Sequence, residues 1–596
     1  MKTTKMSVAV ATALVAALSA RGDFSLAQGR VEAVQNGRLT YRSDGSLDLK
    51  SSSAEYSSGF KLLPPSGETT FDLSEGRYLA ADMESLSTDH QQRICLQIKD
   101  ASGDTFAGIG LDPGEKATIR LQLPHDFIYS WPSGAKGVRT LDTKHITEIS
   151  FHVVWPYEGQ FSGLINVRVS NVRLTGTPDF ERRVSAAKYL PFVDKYGQFV
   201  HGTWKQKVSS DDELPADLAE ERASLDAAPS SWDEYGGWAA GPQLTATGHF
   251  RTEKVNGKWW LVTPSGHLFY STGINVVKTD SDAPNGTLHP SWYESAAQSS
   301  MTFPTWNLQK KFGKTNFKQD YYDFIVQRFD SWGVNTIGNW SDGALVSMSR
   351  KPYVIAAVSR PSGLPYLDGG FYDSLDSTFA SKMADAVASA FSSQSALSHA
   401  ATDPMCIGFF IDNELTFPSD SAYFEPYFKA CRDAIKAVAP NKLYLGCRFK
   451  GLRNLEAIWN AAAKYCDVVS ANSYVNSVAV FTEGTYAAPK IDKPVLHSEF
   501  HFGTMQRGMF SGGLCPVGDQ CARARAYVRV VEGALSHPLF VGSHWFQYRD
   551  QPLVGRGDGE NYQIGFVDVC DRPYPQLTAA ARSVAERMYS LRYSGQ

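Results

Sequence analysis

Hydrophobic and polar positions follow two different rhythms along this chain. Between about 28 and 178, short apolar runs are separated by Gly, Asp and Ser; examples are Arg77-Tyr-Leu-Ala-Ala-Asp-Met, Arg93-Ile-Cys-Leu-Gln-Ile, Ala117-Thr-Ile-Arg-Leu-Gln-Leu, Glu148-Ile-Ser-Phe-His-Val-Val and Leu164-Ile-Asn-Val-Arg-Val. Runs of strand length with little helical periodicity predict a β-sandwich of jelly-roll type. Such a unit serves either as a carbohydrate-binding-module-like domain or as a structural cap. A polar connector follows over 179–245, with a helix-compatible charged stretch at 211–222, and Trp204 and Trp232 that imply packing on a surface. Near its end a hairpin is expected from Gly248 onward, because Asn256-Gly257 is the pair that two-residue hairpin turns favour.

From about residue 270 the rhythm changes. Apolar runs now alternate with longer amphipathic stretches, the pattern of parallel βα units. Eight strand candidates occur, at 270–277, 334–340, 353–359, 407–414, 443–449, 468–474, 495–502 and 540–548, with helical patterns between them at 322–332 and 422–439. Eight is the number that closes a (β/α)8 TIM barrel, here over 246–596. A doubly wound open sheet is the alternative, but no Gly-rich phosphate loop follows the first strand. The expected organisation is a signal peptide over 1–27, a sandwich over 28–178, a connector over 179–245 and an α/β barrel thereafter.

Composition narrows the partners. A chain of 596 residues is too long for one core. A net charge of -4 without a dense Lys/Arg run argues against nucleic acid. With 13 Trp, 27 Tyr and 33 Phe there is ample flat apolar surface, either for stacking on sugar rings or simply for core. Lys2 and Lys5 precede an apolar run over 7–18 and then small residues, which reads as an export signal cut after Ala20 or Ala27. A secreted or periplasmic location follows, and no later run approaches the roughly 18 apolar residues that span a bilayer. Among eight cysteines, Cys95, Cys406, Cys447 and Cys466 lie in apolar segments as small hydrophobes. Cys515 and Cys521 flank a polar loop, where a local disulfide and two free thiols are both open readings. No CxxC pair supports a zinc site.

Two glutamates stand out against this pattern. Glu414 closes Cys406-Ile-Gly-Phe-Phe-Ile-Asp-Asn-Glu at the end of the fourth strand, and Glu499 lies near the end of the seventh, in Pro494-Val-Leu-His-Ser-Glu-Phe-His-Phe-Gly. A carboxylate after a buried strand is costly unless that end is a working surface. Barrel enzymes carry their chemistry at the carboxyl ends of strands, so both groups would face one pocket. Paired carboxyls suit glycoside hydrolysis, one as acid and one as nucleophile when about 5–5.5 Å apart. The bland alternative is that each pairs with an arginine at a domain surface. His497, Glu499 and His501, spaced at two, form a rival metal set, but one that gives Asn413-Glu414 no role.

An Asn-Glu pair after an apolar strand, with a second strand-end glutamate three strands later, resembles the clan A glycoside hydrolases. Trp259-Trp-Leu-Val-Thr-Pro-Ser-Gly-His-Leu-Phe-Tyr-Ser-Thr-Gly-Ile-Asn-Val-Val, Ile407-Gly-Phe-Phe-Ile-Asp-Asn-Glu, Leu496-His-Ser-Glu-Phe-His-Phe-Gly and Val193-Asp-Lys-Tyr-Gly-Gln narrow the resemblance to the β-agarases of glycoside hydrolase family fifty. The resemblance implies retaining cleavage of β-1,4 galactosidic bonds in agarose without a cofactor or catalytic metal. It makes Glu414 the acid/base, Glu499 the nucleophile and Asn413 a donor to the sugar 2-hydroxyl. It also implies that Tyr474, ending the sixth strand, hydrogen-bonds the nucleophile; a rim aromatic is the alternative. Arg448 is expected to bind a hydroxyl, to lower a carboxylate's pKa, or else to form a surface salt bridge. His497 is expected to donate to substrate or nucleophile, and Trp545 to stack on sugar or fill core. Asn275 and Trp340, at the ends of the first two strands, are further candidates. Readings left open are a β-galactosidase or hydrolase of another algal galactan, and an inactive carbohydrate-binding protein.

Overall fold

The structure is a computed structural model that describes residues 23–594 apart from 52–57, 75, 77, 124–140, 154–163, 176–189, 281–289, 296–302, 452–455, 479–490, 557 and 559. Of the expected signal over 1–27, residues 1–22 lie outside the described residues. Asp23–Phe24 already pairs with Asn166–Thr175, the Phe24 ring lies 5.9 Å from Phe71, and Leu26 is buried.

Two antiparallel sheets form the amino-terminal part. One orders Gly37–Tyr41, Leu47–Ser51, Asn166–Thr175, Tyr78–Ser85 and Lys116–Gln122; the other orders Val31–Val34, Gly59–Leu62, Glu148–Val153, Gln92–Lys99 and Asp104–Leu111. Alternate residues point to the same side of a strand. Leu79, Ala81, Met83, Val167 and Val169 of the first sheet thus meet Ile94, Leu96, Ile98, Ile149 and Phe151 of the second in one core. Each of these side chains larger than alanine contributes roughly 1.5–3 kcal/mol on leaving water, before entropy is set against it.

The charged stretch of the connector forms the helix Glu213–Ser224, with Leu214 and Leu218 buried. Asn256 and Gly257 link Arg251–Val255 to Lys258–Val262 with φ of 51° and 76°, the left-handed pair a type I′ turn requires.

The remainder is built on a curled parallel sheet. Its order is Leu443–Tyr444, Cys406–Ile411, Tyr353–Val358, Thr336–Ile337, Ser271–Ile274, Phe540–Trp545, Val495–Phe500, Val469–Asn472 and Phe449–Lys450. All eight expected strands occur, in chain order. The fifth is split: Leu443–Tyr444 pairs with the fourth and Phe449–Lys450 with the sixth, so the two ends of the sheet belong to one short stretch of chain. Strands covered on both faces read as continuous apolar runs, and Cys406–Ile411, Val495–Phe500 and Phe540–Trp545 are buried throughout. Leu443, Leu445, Val468, Leu496 and Val541 pack with Phe250, Leu261 and Phe269 of the hairpin region. A larger core joins the strands to helices that include Lys318–Trp332, Phe379–Ser393, Phe424–Val438, Gln520–Ser536 and Pro575–Ser594. Gly333 caps Lys318–Trp332 at φ 69°, where a Cβ would lie 2.3 Å from that of Ala585, so both backbone and packing exclude a larger residue.

The antiparallel part packs on the segment after the seventh parallel strand. Gly110 N–H donates to the Pro516 carbonyl at 2.8 Å, Arg93 donates to the Leu514 carbonyl, and Arg529 pairs with Asp112 at 2.8 Å. All eight cysteines are unbridged. Cys515 is buried with its thiol 3.1 Å from the Tyr474 carbonyl, whereas Cys521 is exposed in Gln520–Ser536, so the two do not form the local disulfide that one reading allowed. Among the described residues no helix is long and apolar enough to cross a membrane.

Candidate active site

A cleft of about 460 Å³ lies at the carboxyl ends of the parallel strands. Val276 and Trp340 come from the first two strand ends, Asn413 and Glu414 from the fourth, Lys450 from the fifth, Asn472 and Tyr474 from the sixth, Glu499 and His501 from the seventh and Phe546 from the eighth. The backbone here is unusual. Val276, Trp340, Arg360, Asp412, Glu414 and Arg448 all have positive φ, between 44° and 68°. Left-handed backbone is disfavoured for these residues and persists only where surroundings impose it. At the fourth strand those surroundings are visible. The buried Asp412 carboxylate accepts from the Arg360 N–H at 2.7 Å and from the Tyr372 and Tyr427 hydroxyls at 2.8 Å, while Glu414 N–H donates to the Arg448 carbonyl at 3.1 Å. The chain is thereby turned so that Asn413 and Glu414 both face the cleft.

The two glutamates sit in contrasting environments. Glu499 Oε1 accepts from Arg448 Nη2, and its Oε2 accepts from the Tyr474 hydroxyl at 2.5 Å. Accepting on both oxygens is the behaviour of an ionised carboxylate. Arg448 is fully buried, lies 4.8 Å above the Phe410 ring, and donates through Nε to Asn413 Oδ1 at 2.8 Å. Glu414 receives one protein hydrogen bond among the described residues, from Asn472 Nδ2 at 3.0 Å. Burial, and then the charge of Glu499, push its carboxyl up to about 7, against the opposing pull of Asn472, Lys450 and Arg448. One group therefore holds a proton near neutrality while the other presents a fixed negative charge, the division of labour acid and nucleophile need. Asn413 Oδ1 is taken by Arg448 and, at 3.1 Å, by Asn472, which leaves its Nδ2 as the donor end.

No family model matches the chain. β-Agarase B of Vibrio sp. strain JT0107 is 27% identical over 680 residues, covering 86% of this chain and 68% of its own. Two solved structures, an agarase named AgWH50C and an exo-β-agarase, each share 25% identity and a TM-score of 0.74 over 96% of this chain and at least 99% of theirs. The chain is a glycoside hydrolase similar to the β-agarases.

Not every residue singled out in this glycoside hydrolase reaches the cleft. Trp545 does not: it is wholly buried, its Nε1 donates to the Ile564 carbonyl at 2.7 Å, and its ring packs among Phe500, Tyr527 and Phe566. Strand alternation turns it toward the helix Gln520–Ser536, and Phe546, one residue on, faces the cleft instead. Asn275 is also buried, tying the Ser498 carbonyl at 3.0 Å to that of Trp545 at 3.2 Å. His497 donates to the Ser473 carbonyl at 2.5 Å and stacks on Phe500, with burial lowering its pKa to about 4. The equal-spacing argument fails there because the ladder bulges: Ala471 pairs with His497 but Asn472 pairs with Glu499, leaving Ser498 as an extra residue and putting the two side chains out of phase. His501 does line the cleft, but Nδ1 faces the Phe546 carbonyl at 3.1 Å and Nε2 accepts from Leu514 N–H at 2.9 Å. Burial lowers its pKa to about 3. The trio therefore does not converge, and among the described residues no group of three His, Cys, Asp or Glu could hold a metal ion.

Several lining residues escaped the sequence reading. Asn472 carried a usable signal, a polar residue ending an apolar strand as Glu414 does. Leu514, Arg556, Glu560 and Tyr562 come from long segments after the seventh and eighth strands, whose path no periodicity encodes.

Proposed function

We propose that the protein is an exported, retaining β-agarase that cleaves β-1,4 galactosidic bonds of agarose by double displacement. Glu499 attacks the anomeric carbon of galactose while Glu414 gives its proton to the departing oxygen. Glu414, now ionised, then takes a proton from water, and that water releases the sugar from Glu499. Asn413 Nδ2 donates to the 2-hydroxyl, a bond that strengthens in the transition state. Tyr474 and Arg448 hold Glu499 in line. The observation that carries this reading is the pairing across one cleft of a carboxyl raised to about 7 with a carboxylate fixed by two donors. A short chain of hydrogen bonds, Glu414 to Asn472 to Asn413 to Arg448 to Glu499, supports the close spacing that retention demands. The agarose assignment rests on the named activity of the relatives.

The same reading extends to architecture. The curled sheet is a closed (β/α)8 barrel over 246–596, since its two end strands are halves of one stretch. The antiparallel sheets are a sandwich over 28–178 with a shared core, joined by the connector 179–245. Export removes the leader after Ala20 rather than Ala27, because Phe24 and Leu26 belong to the folded body.

The test is chemical rescue. Wild type should release oligosaccharides from agarose in preference to simple β-galactosides; Glu499→Ala should be inactive, and azide should restore turnover to yield the inverted glycosyl azide. Full activity of Glu499→Ala would remove the nucleophile assignment.

A further inference from the structure

Beside the two glutamates already described, the cleft contains a third carboxylate, that of Glu560. It is brought there by the long segment after the eighth strand, and its side chain is 13% exposed. One of its oxygens is fixed. Oε2 accepts from Gln551 Nε2 at 2.7 Å and forms an ion pair with Arg556 Nη2 at 2.9 Å. Both partners are themselves held. Gln551 is buried and its side-chain Oε1 accepts from Tyr562 N–H at 2.8 Å, while Arg556 also grips Asp558 at 2.7 Å. The other oxygen, Oε1, accepts no hydrogen bond from any described residue. Glu499 is close enough for its charge to act on Glu560.

A largely buried carboxylate anchored on one side and left as an open acceptor on the other is a built site for hydroxyl donors, because an ionised carboxylate offers only acceptors and gains most from O–H groups that cannot reach water. The surface beside it is apolar: Phe546 and Tyr562 cluster with Val276, Trp340 and Leu514. A sugar ring has this same division, with hydroxyls on its edge and C–H groups on its face. On the reading above, the 2-hydroxyl of the reacting galactose faces Asn413 and its anomeric carbon faces Glu499. The hydroxyls left for Glu560 are those at C4 and C6.

We infer that Glu560 is a substrate-binding residue that accepts a hydrogen bond from the C4 or C6 hydroxyl of the galactose attacked by Glu499. Arg556 and Gln551 act as positioning residues for it. The inference rests on the glycosidase reading of the cleft but assigns a group that the double displacement does not need.

The experiment compares wild type and Glu560→Gln on agarose oligosaccharides and on their counterparts deoxygenated at C4 or at C6 of the reacting galactose. Glu560→Gln keeps the size and the links to the positioning residues, and its melting temperature checks that it folds as wild type does. The expected result is a kcat/KM ten- to a hundred-fold below wild type on the parent substrate. One of the two deoxy substrates should be poor for wild type yet no worse than the parent for the variant. A purely structural role would lower all three rates together and leave the penalty for each missing hydroxyl intact. That outcome, or a kcat/KM within twofold of wild type, overturns the inference. If wild type itself does not cleave agarose oligosaccharides, the parent reading fails instead, and the two failures are distinct.

Discussion

At the scale of single residues, the proposed acid/base Glu414 sets the expected pH behaviour. Its carboxyl must be protonated to assist departure of the leaving group, so kcat/KM should decline above about pH 7, the value to which burial and Glu499 raise it. The same shift has a thermodynamic consequence. A folded pKa above the ordinary 4.5 means that the native state binds more protons than the unfolded chain, so Glu414 weakens stability as pH rises from 4.5 through 7. Glu414→Gln should therefore melt above wild type at pH 8, by on the order of 2–3 kcal/mol, and level with it at pH 4; thermal melts at the two pH values check this. Polar residues at the ends of buried strands were legible in the sequence because they break an apolar pattern at a cost, and this is why Glu414, Glu499, Asn413, Arg448 and Tyr474, which the structure brings together at one cleft, were singled out. Asn275 met the same criterion yet points away, as do His497, taken from the same strand as Glu499, and Trp545, taken as an aromatic. Their direction depends on a bulge at Ser498 and on strand phase, and neither leaves a mark in residue order.

At the scale of elements, the eight parallel strands were legible because continuous apolar runs of strand length recur between amphipathic helices. The break in the fifth strand was not. It depends on Gly446 at φ 79° and Arg448 at φ 53°, and an arginine in left-handed backbone is imposed by neighbours rather than by its own preference. The helices behind the first strands are tied to the chain after the eighth strand by one anion. Asp571 is buried and meets Lys311 at 3.0 Å, Arg328 at 2.8 Å, Arg549 at 3.2 Å and the Tyr321 hydroxyl at 2.8 Å. Burial opposes its ionisation, but Arg328, Lys311 and Arg549 hold its pKa well below the ordinary carboxylate range. The stability it contributes is present above the unfolded pKa and is lost as pH falls through the folded value. Asp571→Asn should leave Arg549 without its anion, and Arg328 and Lys311 with Glu221 alone, and destabilise by roughly 3–5 kcal/mol, read as a drop in the denaturation midpoint at pH 7.

At the scale of the whole molecule, the antiparallel sheets do more than adjoin the catalytic part. Arg93 donates to the carbonyl of Leu514, Leu514 N–H donates to His501, the His501 ring lies 4.6 Å from that of Tyr474, and Tyr474 donates to Glu499. An element read from sequence as either a sugar-binding domain or a cap thus reaches the proposed nucleophile, Glu499, through four contacts. No periodicity could have indicated this, since Arg93 and Leu514 lie far apart in the chain. Arg93→Ala should lower the melting temperature and, by loosening the Leu514 segment, reduce kcat on agarose more than a surface Arg→Ala in the other antiparallel sheet, such as Arg38→Ala. Equal activities of the two variants would deny the coupling.

The central claim is that Glu499 forms a covalent bond to the sugar and that Glu414 serves it as acid and then base. The configuration of the first product tests this most directly. Proton NMR of agarose oligosaccharides during the first minutes of hydrolysis, before mutarotation, reads the anomer released. Double displacement predicts that the new galactose reducing end appears as the β-anomer and only later equilibrates. Initial release of the α-anomer would mean a single displacement by water and would contradict the account.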